Sequence, residues 1–111
     1  MSGGLLRSLA RSPGSTADNR SFSPAVVAAV WLKGRVVPGY DPAHVRKDCC
    51  GAWMQFDAYG DTNSQYGWEV DHQQPVAHGG ADNLANLQPL YWRNNRHKAD
   101  NWPQWTCAVG A

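Results

Sequence analysis

In the run Trp68 to Asp100, WEVDHQQPVAHGGADNLANLQPLYWRNNRHKAD, an adjacent carboxylate and imidazole (Asp71, His72) precede a glycine pair (Gly79, Gly80), an Asn-Leu (Asn86, Leu87) and a polar Asn-rich segment that reaches Lys98. An imidazole with an unperturbed pKa of about 6.5 can move a proton at neutral pH. A neighbouring carboxylate can hold a hard cation. That order of groups suits metal-assisted cleavage of a phosphodiester.

Such groups need elements to position them. Gly67 to Val70 suits a short strand, because aromatic and β-branched residues alternate with polar ones, and Asp71 and His72 fall at its exit. Strand alternation puts Glu69 and Asp71 on one face and His72 on the other. Bringing both Asp71 and His72 into one site therefore requires the chain to leave strand conformation at one of them. Pro75 and Gly79-Gly80 forbid a regular element in the middle, and Leu87 to Leu90 supplies a second apolar strand. From Tyr91 to Asn101 no Gly or Pro intervenes before Pro103, which permits about three helical turns. The topology this predicts is ββα.

With these residues in register the run resembles the HNH endonuclease family, whose pattern reads Asp-His-x-x-Pro, a Gly-Gly loop, Asn-Leu-x-x-Leu, then His or Asn three residues before Lys. Here those places are held by Asp71, His72, Pro75, Gly79, Gly80, Asn86, Leu87, Leu90, Asn95 and Lys98. The ending Asn95, Arg96, Lys98 and Asp100 is similar to the HNH domain of CRISPR effectors, where Asn replaces the last His. Upstream residues Trp31, Lys33, Pro38, Gly39, Asp41, Pro42, Arg46, Asp48, Cys50, Gly51, Ala52, Tyr66 and Gly67 are similar to small bacterial HNH proteins, so the resemblance spans roughly Trp31 to Asn101. It implies an α+β fold: a small ββα-metal (HNH/His-Me finger) domain over residues 25–111, with its core at about 66–101 and an N-terminal helical extension.

The resemblance also implies roles. A phosphodiester repels nucleophiles, so a cation must offset the charge that develops on the phosphate. Asp71 and the amide oxygen of Asn95 would be its ligands; oxygen donors favour Mg²⁺ or Mn²⁺ over Ni²⁺ or Zn²⁺. His72 would be the general base and Asn86 would orient its ring. Lys98, one turn from Asn95, and Arg96 and Arg93 would contact phosphate on a nucleic-acid substrate, with DNA placed ahead of RNA. Asn94 is the alternative to Asn95, separated from it by about 100° of helix rotation. Glu69 divides between pairing with a surface base and supporting the site. His78 and His97 read as solvated.

The remainder is quieter. Residues 1–24 are rich in Ser, Gly and Arg, with Asp18 their single acid, and are expected to be disordered; Leu5, Leu6 and Leu9 with Arg7 and Arg11 could mimic a transit peptide, with a short solvated tail or an upstream start codon as the favoured readings. Ser23 and Pro24 start a helix over Ala25 to Lys33, stopped by Gly34 and far too short to span a bilayer. Arg46 to Ala52 with Trp53 to Phe56 forms a small element, and most of the six Trp are expected in the core. Cys49 and Cys50 are adjacent and Cys107 is alone, which gives little support to a zinc ribbon, and the odd count suggests a reducing, cytoplasmic setting.

A net charge of +1 excludes a strongly basic DNA-coating protein. Beyond residue 24 the basic residues are Arg93, Arg96 and Lys98 near the proposed site, and Lys33, Arg35, Arg46 and Lys47 upstream. Few phosphate contacts imply weak intrinsic affinity, which leaves room for a protein partner. Two other readings stay open: a catalytically inactive ββα nucleic-acid-binding module, which the intact Asp71, His72 and Asn95 oppose, and a nuclease effector or toxin of the same chemistry.

Overall fold

Ser23 and Pro24 begin the first helix as their chemistry dictates. The Ser23 side chain accepts from the Val26 N–H, and Pro24 sits where a missing donor costs nothing. In the computed structural model, which describes residues 11–110, this helix, α1, spans Pro24–Trp31. It stops short of Lys33 because the N–H groups of Lys33 and Gly34 turn back to the carbonyls of Val30 and Trp31, tightening the last turn.

A hairpin follows, β1 (Val45–Lys47) antiparallel to β2 (Trp53–Gln55). Arg46, read from sequence as part of an upstream basic cluster, is buried and donates to the carbonyls of Leu32, Gly34 and Pro42. It ties the exit of α1 to the hairpin and has no role at the surface. The second sheet pairs β3 (Trp68–His72) with β4 (Leu87–Tyr91), Trp68 opposite Tyr91 and His72 opposite Leu87, and α2 (Trp92–Lys98) leaves directly from β4. This is the expected ββα order. Helix α2 is shorter than expected because Ala99, whose N–H makes the last helical bond to the Asn95 carbonyl, takes φ 48 and turns the chain out of the helix.

Every residue of β3 is buried. Alternation sends Trp68 and Val70 into a core with Phe22, Trp31, Met54 and Leu87, and turns Glu69 and Asp71 towards α2. Of the six Trp, only Trp31 and Trp68 are fully buried, while Trp53 and Trp102 are 36% and 42% exposed. The expectation that most tryptophans are core is thus too generous.

The tail expected to be disordered divides. Residues 1–10, including the Leu5-to-Leu9 stretch, lie outside the described residues, whereas Arg11 to Ser23 pack on the domain. Ser15 and Phe22 are buried. A turn is closed by the Asn19 N–H on the Thr16 carbonyl at 2.9 Å, and the Ala17 N–H reaches the Asp82 carboxylate at 2.9 Å. At the other end Cys50 and Cys107 form a disulfide and Cys49 remains a thiol. The odd cysteine count is therefore one bridge plus one thiol, and gives no argument for a reducing compartment. Among the described residues no helix is long and apolar enough to cross a membrane.

Candidate active site

The side chains that β3 turns towards α2 are two carboxylates, and α2 answers with two cations and an amide. Glu69 Oε1 accepts from Asn95 Nδ2 at 2.8 Å, and Arg96 grips the same carboxylate through Nε and Nη2 at 3.3 and 2.9 Å. Two residues on, Asp71 accepts from Gln88 Nε2 at 2.9 Å and more distantly from Lys98 Nζ at 3.4 Å. Burial pushes the Asp71 carboxyl above its usual pKa, although the Gln88 hydrogen bond and the Lys98 charge pull it down. A cation bound beside Asp71 would add to the Lys98 charge in favouring the ionised carboxylate.

Asn95 is oriented by its partner. A carboxylate only accepts, so the amide nitrogen must face Glu69 and the amide oxygen is the atom left over. Asp71, His72 and Asn95 line one cleft of about 210 Å³, together with Arg11, Gly14, Pro75 and Arg96. The break in strand conformation expected at Asp71 or His72 does not occur, since β3 stays paired through His72. The two residues border the cleft because the strand ends there.

His72 points away from α2, as alternation requires. Its Nε2 lies 2.8 Å from Asp82 Oδ1, and its ring packs against Phe22 with centroids 5.9 Å apart. Asn86, expected to orient this ring, does something else. Its Oδ1 accepts from the Gln74 N–H, and its Nδ2 donates to the carbonyls of Gln74 and Ala81, so it staples the loop from β3 to β4. The staple draws Gly80 so near Gln74 that a Cβ at Gly80 would lie 1.7 Å from the Gln74 carbonyl oxygen. The carboxylate at the His72 ring, Asp82, was missed by sequence reasoning; its only signal was an acid in the loop that closes on the strand's end. Arg11 was missed because its segment was read as disordered.

Three residues expected to bind nucleic acid fare differently. Arg96 is 44% exposed at its side chain and lines the cleft. Lys98 is fully buried, donates to the His72 carbonyl at 3.0 Å and pairs with Asp71, so it is an internal cation and not a surface phosphate contact. Arg93 is exposed on another side of α2, beside Lys47, Trp53 and Tyr66, and the structure does not bring it to the cleft.

Residues 56–101 match the model of the HNH endonuclease family. That segment contains β3, β4 and α2, so over this stretch the chain is similar to an HNH nuclease domain. No curated protein and no solved structure matches the chain. HNH nucleases in general depend on a divalent metal and act on nucleic acid. The described residues contain no group of three or more His, Cys, Asp and Glu side chains disposed to hold a metal. The available donors are a carboxylate and an amide oxygen, a set that fits a hard cation keeping most of its water and phosphate ligands.

Proposed function

We propose that this protein is an HNH endonuclease that hydrolyses phosphodiester bonds of nucleic acid, DNA before RNA, with His72 as general base and a divalent cation, Mg²⁺ or Mn²⁺, on Asp71 and Asn95. The observation that carries this reading is that Asp71, His72 and Asn95 border one cleft on a ββα scaffold, with the Asn95 amide turned by Glu69 so that its oxygen is the free atom. When bound, the metal supplies neutralisation of charge on the scissile phosphate. His72 takes the proton of the attacking water. Arg96 and Arg11, both at the cleft, offer guanidinium N–H groups to phosphate oxygens.

The reading of an inactive module has one observation in its favour: the Lys98 ammonium already sits against Asp71. A plasmid-nicking assay separates the two. Activity abolished by EDTA, restored by Mg²⁺ or Mn²⁺ and absent from His72→Ala supports the nuclease. Equal, metal-independent silence of both proteins, with oligonucleotide binding retained, supports the inactive module.

A further inference from the structure

The segment before α1 touches the cleft and the surroundings of His72 at three separate points. Arg11, Pro13 and Gly14 line it, and Gly14 lies so close to Glu69 that an added Cβ would be 3.2 Å from the Glu69 Cβ. The Ala17 N–H donates to both Asp82 oxygens, at 2.9 and 3.2 Å. Phe22 covers one side of the His72 ring. Asp82 is the hub of this arrangement, because its Oδ1 also meets His72 Nε2 at 2.8 Å. The His72 side chain is only 2% exposed, while that of Asp82 is 40% exposed on a loop, where its carboxylate is held by the Ala17 N–H and the His72 ring.

We propose that Asp82 is the positioning residue of His72 and that the segment Arg11 to Phe22 is a strap that holds Asp82 in place, so that residues preceding the HNH stretch complete the catalytic unit. The inference rests on the nuclease reading for its kinetic consequence, not for its geometry. An ionised carboxylate accepts and cannot donate, so His72 Nε2 carries the proton in this pair. The neutral ring then has its lone pair on Nδ1. In the reaction Nδ1 takes a proton from water, the water oxygen bonds to phosphorus, the phosphorus–oxygen bond to the leaving sugar breaks, and that oxygen takes a proton from solvent. Asp82 keeps the tautomer and fixes the ring's direction while the imidazolium exists, and it touches no reacting atom.

The strap's part can be cut without deleting it. Ala17 is the second residue of the turn closed by the Asn19 N–H on the Thr16 carbonyl, a position that proline favours. Ala17→Pro removes the N–H that holds Asp82 and suits the turn otherwise. In Asp82→Asn the retained Oδ1 can still accept from both His72 and Ala17. The experiment measures kcat and KM separately on a plasmid substrate. It also records the ¹⁵N spectrum of the His72 ring in metal-free full-length protein, assigned by its loss in His72→Ala, at a pH of about 8.5, where an ordinary imidazole is neutral.

The expected results are an Nε2–H tautomer in the wild type and a mixed tautomer in Asp82→Ala. For Asp82→Ala, kcat falls by about ten- to a hundredfold, part of the 10²–10⁴ that a general base carries, with KM unchanged. Asp82→Asn keeps the tautomer and most of kcat, and Ala17→Pro lowers kcat about two- to fivefold at unchanged melting temperature. An Nδ1–H tautomer in the wild type, or undiminished kcat in Asp82→Ala, overturns the proposal. So does an Asn variant as slow as the Ala variant, since charge and not position would then be at work. If no protein cleaves with any metal, it is the nuclease reading that falls, and the ring spectrum alone decides whether Asp82 positions His72.

Discussion

Two adjacent asparagines on α2 face two different environments. Asn94 is fully buried and uses all its hydrogen-bonding capacity: Nδ2 donates to Asp48 Oδ2 and the Val109 carbonyl, and Oδ1 accepts from the N–H groups of Ala108 and Val109. Its partner Asp48 is equally closed, accepting from Cys50, Ala52, Tyr91 and Asn94. Asn95, one residue on, spends its amide nitrogen on Glu69, which leaves its oxygen over, and lines the cleft together with Asp71, whose carboxyl burial pushes above its usual pKa. Both sides are polar and mostly buried. What separates them is saturation: the closed network can only hold the fold, and the open one can take a ligand.

The comparison is broken most directly by its largest expected effect. His72→Ala should lower cleavage per folded molecule by about 10²–10⁴, beside a loss of stability from removing a buried ring that packs on Phe22 and bonds Asp82. Cleavage at the wild-type rate in the purified variant would remove His72 from the mechanism. Asp71→Asn is the matching probe on the metal side. Asp71→Ala would instead leave the fully buried Lys98 ammonium without its partner and confuse lost chemistry with lost stability.

Asn94→Ala should do the reverse. Read from sequence Asn94 is only the alternative to Asn95; its removal takes one of two donors from Asp48 Oδ2, which keeps the Tyr91 N–H, and leaves the main chain of Ala108 and Val109 without its partner. We expect a loss of about 2–4 kcal/mol in chemical denaturation, with kcat per folded molecule nearly unchanged. A stable Asn94→Ala that has lost cleavage would exchange the roles of the two asparagines and shift the ligand by one residue.

How far the sequence could be read follows the same division. The strands, the loop and the helix were readable because Trp68 and Val70 alternate with polar residues, Leu87 to Leu90 is a second apolar segment, and Pro75 and Gly79-Gly80 punctuate the stretch between them. The cleft's membership was readable only as a motif. The ring's partner was not, since a motif ordering His72 before Asn86 says nothing about which loop side chain folds back, and the carboxylate of Asp82 stands nearer than the amide. Arg46 and Lys98 were misread because charge by residue type carries no information on burial. The packing of Arg11 to Ser23 was hidden because its composition is that of a tail, and its order depends on contacts with Glu69, His72 and Asp82, all distant in sequence.

The closed side has a second support in the Cys50–Cys107 disulfide, which joins the C-terminal segment to the turn between β1 and β2. Cys107→Ser should cost about 2 kcal/mol, the low end for such a bridge, because Asn94 still pins Ala108 and Val109. Equal denaturation midpoints with and without reductant would show that the bridge does not constrain the chain. On the open side, Asn95→His should move the metal preference roughly tenfold from Mg²⁺ towards Ni²⁺ or Zn²⁺, in cleavage and in calorimetric titration with each metal alone, because imidazole is a softer donor than an amide oxygen. An unchanged order of metals would take Asn95 out of the ligand set.

The smallest effect concerns Arg93, whose sequence position beside Asn95 suggested a phosphate contact. Its exposed guanidinium shares a surface with Lys47, Trp53 and Tyr66, while Arg11 and Arg96 share one with Asp71 and His72. If the cleft is where the backbone of a nucleic acid lies, removing Arg93 should leave KM within about twofold and the slope of log affinity against log salt unchanged. Arg11→Ala, outside the family-matching stretch, should raise KM and reduce that slope by about one. The pair of variants is informative because both remove one exposed or half-exposed cation and alter net charge equally, so a difference between them reports place and not charge. A shallower salt slope in Arg93→Ala with none in Arg11→Ala would put the substrate on the other side of α2 and undo the assignment of the open side as the working one.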